Sequence, residues 1–272
     1  MTTRTEKVYV LFGSQTGNSE EAAITFAKEL SSKLSPEALQ RMTGTTDHIT
    51  LEPHHMQLDD FLEINKADWT RLVIIFVSSY GVGQAPLGCY RFRDLCDAWQ
   101  QQQENNNNKD KETSDGNGLL LKGVNFALCG LGDSNYTTFF RNPTVLNEAL
   151  LQVGATRIGE VGKADAKQTG DQSQAHVIQR WKDDIWQPLA EVAVKEPLSS
   201  EQLQTMQDAT IALCCKINPE FEPPTNFNRK TGRTMVGQQL GSNNSGSSGV
   251  SMAIMSVIFV LLAIVAYHVL KK

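Results

Sequence analysis

The sequence predicts an α/β protein with a doubly wound, five-stranded parallel sheet, followed by a single transmembrane helix. Three observations support this prediction. Short apolar runs alternate with stretches of helical spacing along residues 1–195, which favours a parallel sheet with right-handed crossovers. The run 72–77, LVIIFV, is continuously apolar, as is typical of a strand covered on both faces. Residues 250–270 form an uninterrupted apolar segment near the C-terminus.

The strands are predicted from apolar runs that are bounded by glycine or polar residues. The run 48–51 is the weakest of them, and a polar loop is predicted to follow the last run over residues 162–172. The predicted strands cover residues 8–12, 48–51, 72–77, 124–129 and 156–161.

The helices are predicted where apolar residues recur at helical spacing. In the first of them, Ala23, Phe26, Ala27 and Leu30 share one face, and the helix is expected to stop before Pro36. The predicted helices cover residues 19–34, 58–64, 89–99, 144–153 and 175–194.

The remaining segments have compositions that predict other roles. Residues 100–118 contain runs of glutamine and asparagine with too little apolar surface to fold, so they are predicted as a surface insertion in the domain 1–195. An extra helix is predicted over 196–217 and a flexible linker over 218–249. The segment 250–270 begins at Val250 and ends at Leu270, and as a helix it would span about 31 Å, against about 30 Å of hydrocarbon.

Charge and cysteine content exclude several classes of function. The formal net charge of −5 makes nucleic acid an unexpected partner. The 5 cysteines form no C-x-x-C pair, which argues against a disulfide framework or a zinc site and is consistent with a reducing cytosol. His54 and His55 lack a third ligand at a suitable spacing, so no metal site is predicted there.

The loop after the first strand has the chemistry of a phosphate-binding loop. Ser14, Thr16 and Ser19 supply hydroxyl donors, and the following helix points its free N–H groups at the same place. Gly13 and Gly17 let the backbone approach a ligand closely. The segment is neither a Walker motif nor G-x-G-x-x-G. The alternative interpretation is an ordinary turn between a strand and a helix.

Two further loops carry a tyrosine beside glycines, and both follow predicted strands. The second loop, 78–86, contains Tyr80, and the third loop, 130–136, contains Tyr136. In a doubly wound sheet, ligands bind at the carboxyl ends of the strands, where all three loops are predicted to lie. The alternative interpretation is that both tyrosines are half-buried structural residues.

These three motifs resemble the flavodoxin-like, FMN-binding domain of the diflavin reductases. G-S-Q-T-G-N-S-E is similar to the FMN phosphate loop of that family, S-Y-G-V-G-Q-A-P to its second loop, and C-G-L-G-D-S-N-Y-x-x-F to its third loop. Within the family, A-L-C-G-L-G-D-S-N-Y and the later G-K-A-D most resemble methionine synthase reductase. The resemblance covers roughly residues 7–194.

The resemblance implies FMN as the cofactor and a set of residues that bind it. Tyr80 and Tyr136 would flank the isoalloxazine ring, and Gly81 would place a backbone carbonyl near N5 of the flavin. The residues implied to hold the phosphate are Ser14, Gln15, Thr16, Gly17 and Asn18. The rest of the implied site consists of Ser79, Gly83, Leu131, Gly132, Asp133, Asn135, Phe139 and Asp165.

The sequence departs from the family pattern in two places. Gln84 stands where the second loop of the family usually has an acid, and Ala166 and Lys167 follow Asp165 where the family usually has consecutive acids. Diflavin reductases continue into an FAD- and NADPH-binding domain, whereas here an extra helix, a linker and the apolar segment follow residue 195. We therefore expect no nicotinamide site in this chain.

The expected function is that of a membrane-anchored FMN electron-transfer protein. Its donor would be a separate NAD(P)H-dependent flavin reductase, and its acceptor would carry a haem, an iron–sulfur cluster or a flavin. One alternative is an FMN-dependent NAD(P)H:quinone oxidoreductase, and another is a flavin-free binding scaffold with the same fold. Acidic residues on the helices could steer a basic partner, and the candidates are Asp59, Asp60, Glu63, Asp94, Asp97, Asp183 and Asp184.

The position of the apolar segment predicts a single-pass C-terminal anchor with the N-terminal domain in the cytosol. Only Lys271 and Lys272 follow the segment, so we expect insertion after synthesis is complete. Basic residues flank the segment on both sides, and they leave the endoplasmic reticulum and the mitochondrial outer membrane as alternatives.

Overall fold

Parallel pairing of the strands builds the sheet that the sequence predicts. The computed structural model describes residues 2–107 and 120–235 of the chain. Five strands of the sheet follow the order β2-β1-β3-β4-β5. β6 also pairs with β4, further along that strand than β5, and all of these pairs are parallel. The strands are β1 (Thr3–Gly13), β2 (His48–Gln57), β3 (Leu72–Ser78), β4 (Asn125–Gly132), β5 (Thr156–Arg157) and β6 (Gly162–Asp165).

Helices cover both faces of this sheet, because successive residues of β3 are buried on opposite sides. Val73 packs in one apolar cluster with α3, α4 and α5, and Ile74 packs in the other cluster with α1 and α6. The doubly wound prediction is therefore confirmed. The helices are α1 (Asn18–Lys33), α2 (Pro36–Thr43), α3 (Leu58–Glu63), α4 (Tyr90–Asn107), α5 (Arg141–Gln152), α6 (Gln174–Ala193) and α7 (Ser200–Ile217).

The fifth position of the sheet differs from its prediction. The predicted strand 156–161 is paired only over β5, and the first residues of the predicted loop 162–172 form β6. A Cβ at Gly162 would lie 2.9 Å from the ring of Trp181, so only glycine fits under α6 at that position. Because the buried positions of β6 hold Gly162, Ala164 and Asp165 and its exposed position holds Lys163, it lacks the apolar run by which strands are recognised.

Helix α2 was not predicted, although its capping signals are present. The hydroxyl of Ser35 accepts a 3.2 Å hydrogen bond from the N–H of Ala38, and Pro36 occupies the first turn. Gly44 ends the helix in the left-handed conformation, with φ of 73°. Helix α1 ends before Pro36, as predicted, and Pro36 also begins a second helix.

The folded unit extends beyond the predicted boundary at residue 195. Helix α7 forms as predicted over most of 196–217, and Thr210 accepts a 3.0 Å hydrogen bond from the indole of Trp69. The flexible linker predicted over 218–249 is wrong for residues 218–235, which contain the antiparallel pair β7 (Phe227–Asn228) and β8 (Arg233–Thr234). Asp208 of α7 holds this pair by accepting from the N–H and the hydroxyl of Thr234, at 3.1 and 2.6 Å.

Two predicted segments lie wholly or partly outside the described residues. Helix α4 runs to Asn107, so the predicted insertion 100–118 is helical over 100–107, and its remainder is not described. The predicted span 250–270 and residues 236–249 of the linker also lie outside. Among the residues that are described, no helix is both long and apolar enough to cross a membrane.

Candidate functional site

A cavity opens at the carboxyl ends of β1, β3 and β4, where the three predicted loops meet. Its volume is about 350 Å³, within the range of small-molecule sites. Eleven of the predicted site residues line it: Gln15, Thr16, Asn18, Ser79, Tyr80, Gly81, Leu131, Gly132, Asp133, Tyr136 and Phe139. The other lining residues are Ser19, Ser78, Thr138, Ala166 and Gln174.

The first loop closes on itself at the bottom of the cavity. The hydroxyl of Ser14 accepts a 3.0 Å hydrogen bond from the N–H of Gly17, and Gly17 adopts φ of 94° to start α1. Neither residue lines the cavity. Their hydrogen bond shapes the loop, and the direct contact with phosphate that the resemblance implies for them stays a prediction.

The same loop presents polar groups that lack a partner in the protein. The side chain of Ser19 is fully buried, and its hydroxyl has no hydrogen-bond partner among the described residues; the same holds for Oε1 of Gln15. The backbone N–H groups of Thr16, Asn18 and Ser19 also meet no acceptor in the described part of the chain. Buried polar groups are normally satisfied, so the hydroxyl of Ser19 and the three N–H groups, which can all donate, fit a bound anion such as a phosphate. Oε1 of Gln15 can only accept and does not belong to this set of donors.

The second loop turns sharply after Ser79 and is held by its own backbone. The N–H of Gln84 donates to the carbonyl of Tyr80 at 2.8 Å, and the N–H of Tyr80 donates to the carbonyl of Gln84 at 3.1 Å. Gly83 adopts φ of 86°, and a Cβ there would lie 2.7 Å from Cδ of Arg141. Gly83 does not line the cavity, so it is required for the turn and for close packing.

The carbonyl of Gly81 joins the second loop to the third. Gly81 has φ of 51°, and its carbonyl accepts a 3.3 Å hydrogen bond from the hydroxyl of Thr138. Both residues line the cavity. The third loop therefore fixes the direction of the carbonyl that the resemblance places near a flavin.

Hydrogen bonds of Asp133 organise the third loop. Its carboxylate accepts from the N–H of Asn135 at 2.9 Å, and its carbonyl accepts from the N–H of Tyr136 at 3.1 Å. Asn135 itself does not line the cavity. A Cβ at Gly132 would lie 2.8 Å from the ring of Phe139, so glycine lets that ring pack against the end of β4.

The two tyrosines are more exposed than structural tyrosines usually are. Tyr80 is 48% exposed and Tyr136 is 58% exposed, and neither hydroxyl bonds to another described residue. Two exposed aromatic faces on opposite loops can sandwich a flat ring system. This geometry favours a ligand-binding role over the structural alternative.

Asp165 lies beside the cavity and bonds to the backbone of two loops, so its implied place in the cofactor site stays a prediction. It lies at the end of β6 and does not line the cavity; its Oδ1 accepts from the N–H groups of Ser134 and Lys167, both at 3.0 Å. Desolvation at this site raises the pKa of Asp165, but the hydrogen bonds outweigh it and lower the pKa to about 2. Its carboxylate therefore braces the third loop against the loop after β6.

Gln174 is the cavity residue that sequence reasoning missed most completely. It starts α6, and its Nε2 lies 3.3 Å from the carbonyl of Ala164 and 3.5 Å from that of Gly132. No local pattern marks it, because its partners come from other segments of the chain. Ser19, by contrast, belongs to the hydroxyl-rich first loop that the sequence singles out.

Several of the acidic residues expected to steer a partner have structural roles instead. Asp59 accepts from the N–H groups of Tyr90 and Phe92 at the start of α4, and burial raises its pKa. Asp97 accepts from Arg93 at 3.0 Å. Electrostatic steering by this set is therefore weaker than its residue count suggests.

The comparisons with known proteins agree with this geometry. Residues 10–179, more than half of the chain, match the family model Flavodoxin. The NADPH–cytochrome P450 reductase of Saccharomyces cerevisiae is 29% identical over 190 residues, which are 70% of this chain and 22% of that relative. The methionine synthase reductase of Caenorhabditis elegans is 30% identical over 156 residues, which are 57% of this chain and 18% of that relative.

The chain thus spans about a fifth of the length of these curated relatives. Among solved structures, a flavodoxin of Streptococcus pneumoniae TIGR4 aligns with a TM-score of 0.44 and 18% identity, covering 66% of this chain and 97% of that one. The resemblance to the FMN domains of diflavin reductases is confirmed by the family match and the two reductases. The chain belongs to the flavodoxin family, and it is an FMN-binding electron-transfer domain related to cytochrome P450 reductase and methionine synthase reductase.

Proposed function

We propose that this protein is a membrane-anchored FMN electron carrier, which a separate NAD(P)H-dependent flavin reductase reduces and which passes electrons to an acceptor at the same membrane. The observation that carries the proposal is the cavity itself. It combines unpartnered donors at the first loop with two exposed tyrosines at its mouth. The acceptor is proposed to hold a haem, an iron–sulfur cluster or a flavin.

The residues of the cavity divide the task of holding the cofactor. Thr16, Asn18 and Ser19 bind the phosphate through hydroxyl, amide and backbone N–H donors, since no lysine or arginine is among the described residues that line the cavity. Tyr80 and Tyr136 cover the two faces of the ring. The bound FMN supplies one- and two-electron redox chemistry, and the protein supplies position and electrostatics.

The exposure of the tyrosines suits electron exchange with other proteins. Because both rings are about half exposed, a ring system between them keeps an edge at the protein surface. Val82 and Leu87 are also exposed beside the second loop, at 71% and 51%. A partner that docks there brings its own redox centre close to the flavin.

We propose that residues 250–270 anchor the protein in a membrane, with the flavodoxin domain in the cytosol. The composition and length of the segment support this. Within the described unit, α7 bonds through Thr210 to Trp69, just before β3 begins, and Asp208 of the same helix holds Thr234. Thr234 therefore lies near the amino end of β3, whereas the cavity lies at the carboxyl ends of the strands.

The test of the carrier function is anaerobic reduction of the FMN-loaded full-length chain in detergent. We expect NADPH alone to leave the flavin absorbance unchanged, and NADPH with purified NADPH–cytochrome P450 reductase to bleach it. After the reductase and the remaining NADPH are removed without admitting oxygen, the reduced chain should reduce cytochrome c, used as a haem probe. Bleaching by NADPH alone would instead favour the NAD(P)H:quinone oxidoreductase alternative.

Protease treatment of isolated membranes tests the proposed topology. With the domain in the cytosol, intact membrane vesicles should leave it open to digestion. A domain that survives until detergent is added would lie in a lumen, and the cytosolic reductase would then be excluded as its donor. Separate preparations of endoplasmic reticulum and mitochondria distinguish the two proposed membranes.

A further inference from the structure

We propose that Asn142 is a positioning residue of the FMN site, which fixes the second loop against the start of α5 through two hydrogen bonds that it donates. This inference rests on the FMN-binding role proposed above for the cavity. Asn142 does not line the cavity. It acts through Ser78 and Ser79, which do.

Asn142 donates both hydrogen bonds, one from its side chain and one from its backbone, and neighbouring residues of the second loop accept them. The side-chain Nδ2 of Asn142 donates to the carbonyl of Ser78 at 3.0 Å, and the backbone N–H of Asn142 donates to the hydroxyl of Ser79 at 2.9 Å. Asn142 is fully buried, with 0% exposure. A buried amide with correctly placed partners gives a link that water does not compete for.

The start of α5 explains why this link is needed. Its N-cap residue is Phe140, which has φ of 67° and whose side chain makes no capping hydrogen bond. The N–H of Asn142, in the first turn of the helix, would lack an acceptor without one from elsewhere. The hydroxyl of Ser79, in the second loop, supplies that acceptor. Ser79 therefore takes the place of an N-cap side chain, although it belongs to a different loop.

The orientation of the Asn142 amide is set from the opposite side by α4. Its Oδ1 accepts from Nη1 of Arg93 at 3.1 Å, and Arg93 is held by Asp97 at 3.0 and 3.1 Å. Because arginine can only donate, the oxygen of the amide faces α4 and its NH₂ group faces Ser78. The sulfur of Cys89 lies 3.8 Å from the same nitrogen as a weak second acceptor.

The hydrogen bonds of Asn142 affect the cofactor through the backbone of the second loop. Ser78 and Ser79 immediately precede Tyr80 and Gly81, so a shift at the serines moves the ring and the carbonyl that face the flavin. Ser79 uses one lone pair for Asn142 and keeps its hydroxyl proton for a ligand in the cavity. Asn142 thus sets the position of the second loop. It also orients the hydroxyl of Ser79, so that this hydroxyl can donate to a ligand in the cavity.

The test compares FMN binding to the full-length chain and to three variants in detergent. Asn142→Leu keeps the branched shape and the number of side-chain heavy atoms, and it removes every side-chain hydrogen bond. Asn142→Asp keeps the acceptor for Arg93 but has no N–H for Ser78, so it stays informative if the leucine variant does not fold. Thr210→Val is the matched control, because it removes a buried hydrogen bond to Trp69 that lies away from the cavity.

We expect both Asn142 variants to raise the FMN dissociation constant about tenfold and to change the visible circular dichroism of the bound flavin. Thr210→Val should lower the unfolding temperature and leave both flavin measurements unchanged. Folded Asn142 variants with the parent dissociation constant and spectrum would overturn the proposal, as would equal flavin effects in Thr210→Val. If the parent chain binds no FMN, the FMN-binding role of the cavity fails as well, whereas parent binding with unaffected variants rejects the role of Asn142 alone.

Discussion

The side-chain amide of Asn18 donates a 2.8 Å hydrogen bond to Oε1 of Gln174, although 156 residues separate them in the chain. Asn18 starts α1 and Gln174 starts α6, and both line the cavity. With its other amide atom, Gln174 reaches the carbonyl of Ala164 at the end of β6. One glutamine therefore joins the first loop to β6, which pairs with β4.

Replacing Gln174 by alanine should weaken FMN binding without unfolding the protein. Asn18 loses the partner that orients its amide, and a lost neutral hydrogen bond typically costs about 1 kcal/mol. We expect the FMN dissociation constant to rise about fivefold in a fluorescence titration. Gln179→Ala is the control on the same helix, because Gln179 bonds only to Asp183 on an exposed face. Equal effects of the two substitutions would contradict the role of Gln174.

Thr16→Ala and Asn18→Ala test the phosphate-binding loop directly. Each should remove a hydrogen bond to a charged group, which is worth about 1.5 to 3 kcal/mol. The FMN dissociation constant should then rise about ten- to a hundredfold. Thr205→Ala on the exposed face of α7 is the matched control. Unchanged FMN affinity in both loop variants would show that the phosphate lies elsewhere.

Tyr136→Ala should change the flavin itself as well as its retention. Removal of a stacked ring costs about 0.5 to 1.5 kcal/mol and exposes one face of the flavin to water. We expect a shift in the absorbance spectrum and in the midpoint potential of the bound FMN. Tyr90→Ala provides the control, because Tyr90 is 49% exposed but does not line the cavity. A Tyr136→Ala variant with the parent spectrum and potential would place the ring away from Tyr136.

Asp165 should make the stability of the folded chain depend on pH in the acid range. Its pKa of about 2 in the folded chain lies below the usual value of about 3.9 for an unfolded chain. A lowered pKa stabilises the fold above the unfolded value, and this contribution is lost as pH falls from about 4 to about 2.

Asp165→Asn should therefore be less stable than the parent at pH 6, and this difference should shrink on acidification. Denaturant unfolding of both chains between pH 6 and pH 2.5 measures it. A difference that stays constant over this range would mean that the carboxylate charge of Asp165 does not stabilise the loops that it joins.

The parts of the fold that could be predicted are those that local pattern determines. The apolar run 72–77 identifies β3, because a strand buried on both faces needs apolar residues throughout. The segment Gly162–Asp165 could not be identified in the same way, since close packing against Trp181 of α6 requires glycine at position 162 and polar residues occupy positions 163 and 165. The pair β7 and β8 forms in a polar segment because Asp208, far away in the sequence, supplies its hydrogen bonds.

The site shows the same division between local and tertiary information. Tyr80 and Thr16 stand in loops whose composition already indicates a ligand, and both line the cavity. Gln174 and Asn142 gain their importance from partners in other segments, and no spacing in the sequence marks them. Ser14 belongs to a recognisable motif, but its hydroxyl is used within the loop.

The most direct test of the central claim is an equilibrium titration of the flavin-depleted full-length chain with FMN. We expect saturation near one FMN per chain and quenching of the flavin fluorescence as the tyrosines stack on the ring. We expect Thr16→Ala to lose tight binding. A chain that stays colourless when FMN is added, or that binds FMN equally well with Thr16 replaced, would contradict the assignment of the cavity.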